Sequence, residues 1–429
     1  MTELKQQNYF GEPKDIKRNL ILYFFDGVTF MPSMALISIT AVIPFFLETL
    51  NASTFQFAIA TAMTTIGMLI GKPFFGSMAS RARLMSRTFA KTLFVQRLVF
   101  LLFVLAMPLL ALSDPLMIWA FIVSWAIFNF LSGGYMVFNV PIILKLLPPH
   151  QRGGVRGAGF AIGNIIALGM AALIPTILEH FSYPTNFMII FLLGLIFLFW
   201  NAVAFWFMKE HEDVEPRVAM NVLEYIKAMP ICIKEDSTFR GMILSCMFLV
   251  VGISLIPFYT LYAIREFSIH AEQIAFLIFL ATLSTIFVNV VLGLMIDRFG
   301  PVKVSPIIGC VILLSGLIPL VTNGIVPFYV AWVLINLGNV CYIKTTNLML
   351  ADVSPSGKSP LYVGVLFMIS MSLSSLVVLG LAPVLEVFGF VFLFIIVVIC
   401  GGVGLFYNLF VFQSRLKSDM IKGKYGLGS

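Results

Sequence analysis

NLILYFFDGVTFMPSMALISITAVIPFFLETL, residues 19–50, decides the fold class. Apart from Glu48 near its end, the one charge in this run is Asp26. A helix needs about 20 predominantly apolar residues to cross the hydrocarbon core of a bilayer, and this stretch has them to spare. It reads as a membrane helix, with Asp26 placed where an ionised carboxylate is costly.

The rest of the chain repeats the pattern. Of its 429 residues, 60% are hydrophobic and 11% charged, and the mean hydropathy is +1.02, well outside the range of soluble domains. Apolar runs at 19–47, 54–78, 91–112, 116–144, 157–179, 187–208, 241–264, 272–296, 304–322, 327–350, 361–385 and 389–412 predict twelve membrane helices. A membrane β-barrel reads instead as short alternating segments of about ten residues. The fold class is an all-α polytopic membrane protein.

The formal net charge of +7 does not point to nucleic acid. Lys and Arg concentrate in the N-terminal arm, the C-terminal tail and alternate loops (81–91, 145–156, 209–240, 298–303 and Lys358), whereas Arg265 alone falls in the opposite loops. By the positive-inside rule both termini and the central loop are cytoplasmic, which requires an even number of spans. The polar first eighteen residues lack the apolar core of a removable signal peptide. Three cations, Lys72, Arg97 and Lys344, fall inside predicted spans. The 5 cysteines are scattered and the 4 histidines lie in loops or at span ends, so no metal site or cofactor is expected. Asn51-Ala52-Ser53 matches a glycosylation sequon but sits too close to the membrane to be used.

The longest polar interruption divides the spans six and six. It gives a cytoplasmic arm at 1–18, a six-helix bundle at 19–208, a central loop at 209–240, a second bundle at 241–412 and a tail at 413–429. Val218, Val222, Leu223 and Ile226 have helical spacing and predict an amphipathic surface helix within that loop. The two halves also resemble each other. At an offset of 207, Trp125, Asn129, Tyr135 and Gly157 fall on Trp332, Asn336, Tyr342 and Gly364. At 217, Thr65, Lys72, Gly76 and Arg81 fall on Thr282, Asn289, Gly293 and Arg298; at 213, IPFF (43–46) falls on IPFY (256–259). Two parallel six-helix repeats are implied.

The stretch GLMIDRFGPVK, Gly293 to Lys303, between the eighth and ninth spans, closely resembles the Gly-x-x-x-Asp-Arg-x-Gly-x-x-Lys loop signature of the major facilitator superfamily. The copy between spans 2 and 3, GSMASRARLMSR, keeps Gly76 and Arg81 but has Ser80 at the acidic position and Arg83 at the second glycine. The resemblance implies a gating loop formed by Gly76, Arg81, Gly293, Asp297, Arg298 and Gly300, in which Asp297 and Arg298 lock to each other or to neighbouring charges. It also implies that spans 1, 4, 7 and 10 line the central path, with 2, 5, 8 and 11 contributing. Two signatures of proton-coupled members and drug antiporters are missing. Asn129 stands where an arginine precedes the span-4 glycine, and span 5, GAGFAIGNIIALG, has no Gly-Pro pair.

Polar residues at helical spacing mark the candidate cavity. Asp26, Thr29, Ser33 and Thr40 fall within about 60° of one another at ~100° per residue. In span 10, Asn336, Asn339, Thr346 and Asn347 fall within roughly 100°, with Lys344 about 60° beyond. Asn129 and Asn139 in span 4, Thr65 and Lys72 in span 2, and Thr282, Thr285 and Asn289 in span 8 complete the set. Each hydroxyl or amide also has a purely structural alternative, bonding backbone or neighbouring helices. Asp26 is either a lone acid that binds and releases a proton, or one half of an ion pair with Lys72 as its expected partner. Arg97 is expected to pair or to reach the interface, and Lys344 to meet substrate.

The expected function is secondary active transport of a small or amphipathic solute by alternating access, with proton-coupled efflux of a drug-like compound through an antiporter cycle as the first reading. The second is uptake or exchange of a small organic anion or metabolite using Lys72 and Lys344. Without a P-loop, ATP-driven transport is not supported, and one intramembrane acid with no intramembrane His argues against an enzyme. A lipid scramblase or a non-transporting sensor on the same fold is the alternative of another class. The expected partners are a small-molecule substrate, protons and the lipid bilayer, with no nucleic acid, for a monomer in the plasma (inner) membrane.

Overall fold

The computed structural model describes residues 12–211, 230, 233–234, 236–353 and 359–421. The predicted surface helix around Val218–Ile226 lies outside the described residues. Among them, 12 helices are long and apolar enough to cross a membrane. Spans 1 to 6 are Pro13–Leu36, Thr54–Ala79, Met85–Leu110, Asp114–Leu146, Pro149–His180 and Thr185–Phe207. Spans 7 to 12 are Ser237–Phe267, Ala271–Phe299, Pro301–Val321, Ile325–Leu350, Tyr362–Phe388 and Val391–Ser418.

Several spans begin earlier than their apolar runs. Span 1 starts at Pro13 behind an extended Glu12, where proline's fixed φ and missing N–H suit a first helical turn. Span 5 starts at Pro149, so the basic stretch read as a loop at 145–156 is largely helix. That correction moves Arg156 from a loop into a span.

The opening stretch is not one continuous helix. It ends at Leu36 and resumes as Val42–Thr49. Pro44 cannot donate to the carbonyl four residues back and its ring crowds that carbonyl, and at the joint the Ser38 hydroxyl lies 2.8 Å from that of Thr40. Span 7 breaks in the same way, between Ser237–Ser254 and Ile256–Phe267, with Pro257 at the restart. The IPFF and IPFY segments are thus equivalent joints in two repeats. A second shared detail is the Asn129 amide, which donates to the Trp125 carbonyl at 2.8 Å. Asn336 donates to Trp332 at 2.8 Å in the same way.

The chain forms two compact units, 1–52 with 63–220 and 271–278, and 53–62 with 221–270 and 279–429. In the first unit, spans 1 and 5 touch backbone to backbone. A Cβ added to Gly27 would lie 3.2 Å from Gly159 Cα, and one added to Gly159 would lie 2.5 Å from the Phe24 carbonyl oxygen. Small residues of this kind let membrane helices approach closely. A cluster of rings fills the neighbouring core, with Phe46 in edge contact with Phe121, Phe187 and Phe191.

The residues just after span 6 fasten one end of this unit. Asn19 donates to the Lys209 carbonyl at 2.9 Å and accepts from the Lys209 N–H at 2.8 Å. Glu210 accepts from the Ser86 N–H at 2.7 Å, at the start of span 3, and pairs with Lys145 at 2.9 Å. Its side chain is 1% exposed. Replacing Glu210 with Ala would remove the acceptor of the Ser86 N–H and the counter-charge of Lys145, whose ammonium keeps its bond to the His211 carbonyl at 2.6 Å, at a cost of about 1–3 kcal/mol. A lower unfolding midpoint for Glu210→Ala, with Lys145→Met less harmful, is the expected result in a thermal melt of the detergent-solubilised protein.

Candidate functional site

Asp26 occupies the middle of span 1 and is fully buried. Its depth follows from the Gly27–Gly159 contact, which draws span 5 against span 1 and places Arg156 beside the carboxylate. The Arg156 Nη1 donates to Asp26 Oδ2 as an ion pair, and the Asn201 amide of span 6 donates to Oδ1. The partner of Asp26 is therefore Arg156, not the expected Lys72.

The bonds continue through five spans. Asn201 Oδ1 accepts from Arg97 Nη2 at 2.8 Å, so its amide bridges the carboxylate to a second guanidinium. Arg97 of span 3 also donates to the Leu198 carbonyl at 3.1 Å, to the Leu93 carbonyl at 3.2 Å and to the Gln96 side chain. Gln96 in turn donates to the Phe128 carbonyl at 2.9 Å and to the Ser132 hydroxyl of span 4. At the other end, Arg156 Nη2 donates to the Tyr135 hydroxyl at 3.1 Å. The Arg156 guanidinium lies 4.8 Å from the ring centre of Tyr23 and 4.3 Å from that of Phe160, distances at which a cation is attracted to a ring face.

This network holds two guanidinium groups and one carboxylate. Arg97 is 3% exposed and Asn201 fully buried, whereas the Arg156 side chain keeps 15% exposure. Buried charges persist where they are paired and their remaining donors satisfied. Arg97 meets that condition through carbonyl and amide oxygens alone.

The other expected site residues divide into two groups. Thr29 and Ser33 donate to carbonyls of their own helix, Phe25 at 3.0 Å and Phe30 at 2.6 Å. Asn129, Asn336 and Thr285 do the same, as the structural alternative requires. Asn139 is buried beside Tyr135. Lys72, Thr65, Thr282, Asn289, Asn339 and Lys344 are half-buried, and Asn347 is exposed. Thr40 stands outside the span-1 helix at the joint, so the predicted span-1 stripe is shorter by one residue.

In the predicted gating loop, Gly300 adopts φ +79, a left-handed conformation that favours glycine and lets Pro301 start the next helix. Gly76 and Gly293 have open space where a Cβ would go. Arg81, Asp297 and Arg298 are exposed. Arg298 lies 5.3 Å from the Phe299 ring centre, and among the described residues no ion pair joins it to Asp297.

Sequence reasoning missed Arg156, Asn201 and Gln96. Asn201 is the amide within the apolar run LFWNAVAFW, a signal of the same kind as Asp26. Arg156 closes a basic cluster that counts as loop until the helix is known to start at Pro149.

No curated protein sequence matches the chain. Among solved structures, the nucleoside transporter NupG superposes with a TM-score of 0.67 at 10% identity, over 93% of this chain and 99% of that one. A bacterial homologue of the human lysosomal transporter Spinster gives 0.62 at 15%, over 94% and 99%. The human organic anion transporter MFSD10 gives 0.62 at 15%, over 92% and 99%. At such identities these likenesses speak for the fold alone. The sequence profile of the Major Facilitator Superfamily matches residues 25–234 and 241–423, and with two repeated six-span halves and the loop at Gly293–Lys303 this establishes that the chain belongs to the Major Facilitator Superfamily.

Proposed function

We propose that this transporter carries a small organic anion by alternating access, as a single chain in the plasma membrane with both termini cytoplasmic. One observation carries the reading. The carboxylate deepest in a span, Asp26, is bonded by Arg156 and Asn201, while three further cations, Lys72, Arg97 and Lys344, stand more than a turn inside other spans. Positive charge kept at membrane depth is costly and is retained for a partner or a function.

The same geometry weakens the reading of Asp26 as a lone proton carrier for efflux of a drug-like compound. Both oxygens of Asp26 are engaged, one by a guanidinium and one by an amide, so it is not a lone acid facing a cavity. Asp26 acts in this reading as the fixed counter-charge of Arg156. Lys344, half-buried on span 10, is the group assigned to the substrate anion.

Proteoliposome flux tests this directly. The panel is a monocarboxylate, a dicarboxylate, an organophosphate, an aromatic ammonium compound and a neutral sugar, each with imposed potentials of either sign. Uptake of an anion that responds to the potential is expected, with Lys344→Gln slowing it at least tenfold and leaving the unfolding midpoint unchanged. Accumulation of the ammonium compound with no anion flux would overturn the proposal.

A further inference from the structure

Between Glu48 and Asp114 the chain carries six cations and no acid. Lys72 and Arg97 lie well inside their spans. The other four, Arg81, Arg83, Arg87 and Lys91, gather where span 2 ends and span 3 begins, and all four are exposed. In the second unit the matching turn keeps an acid, Asp297, beside Arg298, with Gly300 two residues on. Here Ser80 stands in place of that acid and Arg83 in place of that glycine, so the turn carries positive charge alone. Among the described residues none of the four cations enters an ion pair. The acid that reaches this end of span 3, Glu210, is taken by the Ser86 N–H and by Lys145.

The exposed side of span 3 continues from these cations without a break. At ~100° per residue, Arg87, Lys91, Val95, Leu98 and Leu102 fall within about 80° of one another. Each is exposed, Val95 and Leu98 at 50% and Leu102 at 60%. The opposite side holds buried residues, among them Phe89, Leu93, Gln96 and Phe100. Arg87 and Lys91 are one turn apart, ~6 Å along the axis at 1.5 Å per residue, close enough for both to reach one phosphate. From Lys91 to Leu102 the same rise gives ~16 Å, about half the ~30 Å thickness of a bilayer's hydrocarbon core. The stripe therefore sets two cations at headgroup level and follows them with one leaflet's depth of aliphatic surface.

We propose that this face of the first unit holds an anionic phospholipid. Its phosphate meets Arg87 and Lys91, its acidic headgroup lies against Arg81 and Arg83, and one acyl chain runs along Val95, Leu98 and Leu102. A guanidinium matches phosphate oxygens with its fork of donors, and a lysine stem lies along apolar surface while its ammonium reaches the same level. A basic cluster of this size beside a span attracts anionic lipid, and each cation adds to the effect. A zwitterionic lipid brings the same phosphate with its own ammonium, which four cations without an acid among them disfavour. A soluble protein partner would not follow the stripe into the hydrocarbon, whereas an acyl chain does. The site is independent of what the transporter carries.

Native mass spectrometry tests the assignment. The full-length protein is reconstituted in nanodiscs holding phosphatidylglycerol and phosphatidylethanolamine in equal amounts, and the lipids it retains on release are identified. The expected result is a single chain that keeps phosphatidylglycerol at least fivefold more often than phosphatidylethanolamine. Arg87→Gln with Lys91→Gln should bring the ratio to within about twofold of parity. Lys14→Gln with Lys17→Gln, which removes the same charge from the exposed start of span 1, should leave it unchanged. Unfolding midpoints verify that both double variants fold. Equal retention of the two lipids by the parent chain would overturn the proposal, whether or not any variant folds. An equal fall in both double variants would do the same, since bulk charge rather than this face would then select the lipid. So would an undiminished ratio in the folded Arg87→Gln, Lys91→Gln chain. A dimer that sheds all lipid would assign the stripe to a second copy and refute the lipid site.

Discussion

Asp26→Ala is expected to be the most damaging single change in the first unit, costing about 3–5 kcal/mol, because it leaves Arg156 and, through Asn201, Arg97 as buried cations without their carboxylate. The pair itself is not worth that much. Most of the loss is the penalty for the charge left behind, so removing both partners is expected to be far milder than removing one. A double-mutant cycle decides the matter. Asp26→Asn and Arg156→Met each lower the unfolding midpoint, whereas the double variant recovers most of the loss. Equal loss in the double variant would mean that the two groups stabilise the bundle independently and that the ion pair is not the source of the effect. The same cycle bears on transport. If Asp26 is a fixed counter-charge, the double variant retains measurable anion flux; if Asp26 carries the coupled proton, accumulation against a gradient disappears in every variant that lacks it.

Gly159→Val is expected to be nearly as severe by a different route. A single Cβ at this position would sit 2.5 Å from the Phe24 carbonyl oxygen, with Gly27 Cα at 3.3 Å, and the obstructing atoms are backbone that cannot rotate away. Spans 1 and 5 must separate, and inserting bulk into a packed contact costs about 1–3 kcal/mol. Separation also pulls Arg156 from Asp26, so the packing loss and the charge loss act together. The expected signature is a lower unfolding midpoint that Arg156→Met in the same chain makes no worse. If Gly159→Val and Arg156→Met lower the midpoint additively, the seam and the ion pair are independent.

The span count and the repeat were legible because they depend on quantities that add along the chain. About twenty apolar residues are needed wherever a helix crosses, and Trp125 with Asn129 keeps its spacing in Trp332 with Asn336 whatever surrounds it. Asp26 was legible as a cost for the same reason. Its partner was not, because a cation at a span end reads identically whether it faces water or turns inward. Arg156 turns inward because two glycines 132 positions apart, Gly27 and Gly159, let the helices meet, and sequence spacing within one helix carries no trace of that. Conversely, several hydroxyls and amides of the predicted stripe bond their own helix. Thr29 and Ser33 share the span-1 stripe with Asp26, and Asn129 lies against Gly67 of span 2, yet all three spend their donors on carbonyls three or four residues back. Helical phase shows which way a side chain leaves its helix but not whether it bends back.

The double bond between Asn19 and Lys209 has a practical consequence for anyone cutting the two halves apart. Trypsin must draw the backbone around its target lysine into an extended strand across its own cleft. At Lys209 both backbone groups are already engaged by one buried side chain, so an exposed lysine is presented on a chain that does not yield. Digestion is expected to pass over this site, and the N-terminal fragment that survives should still end in its own fastening.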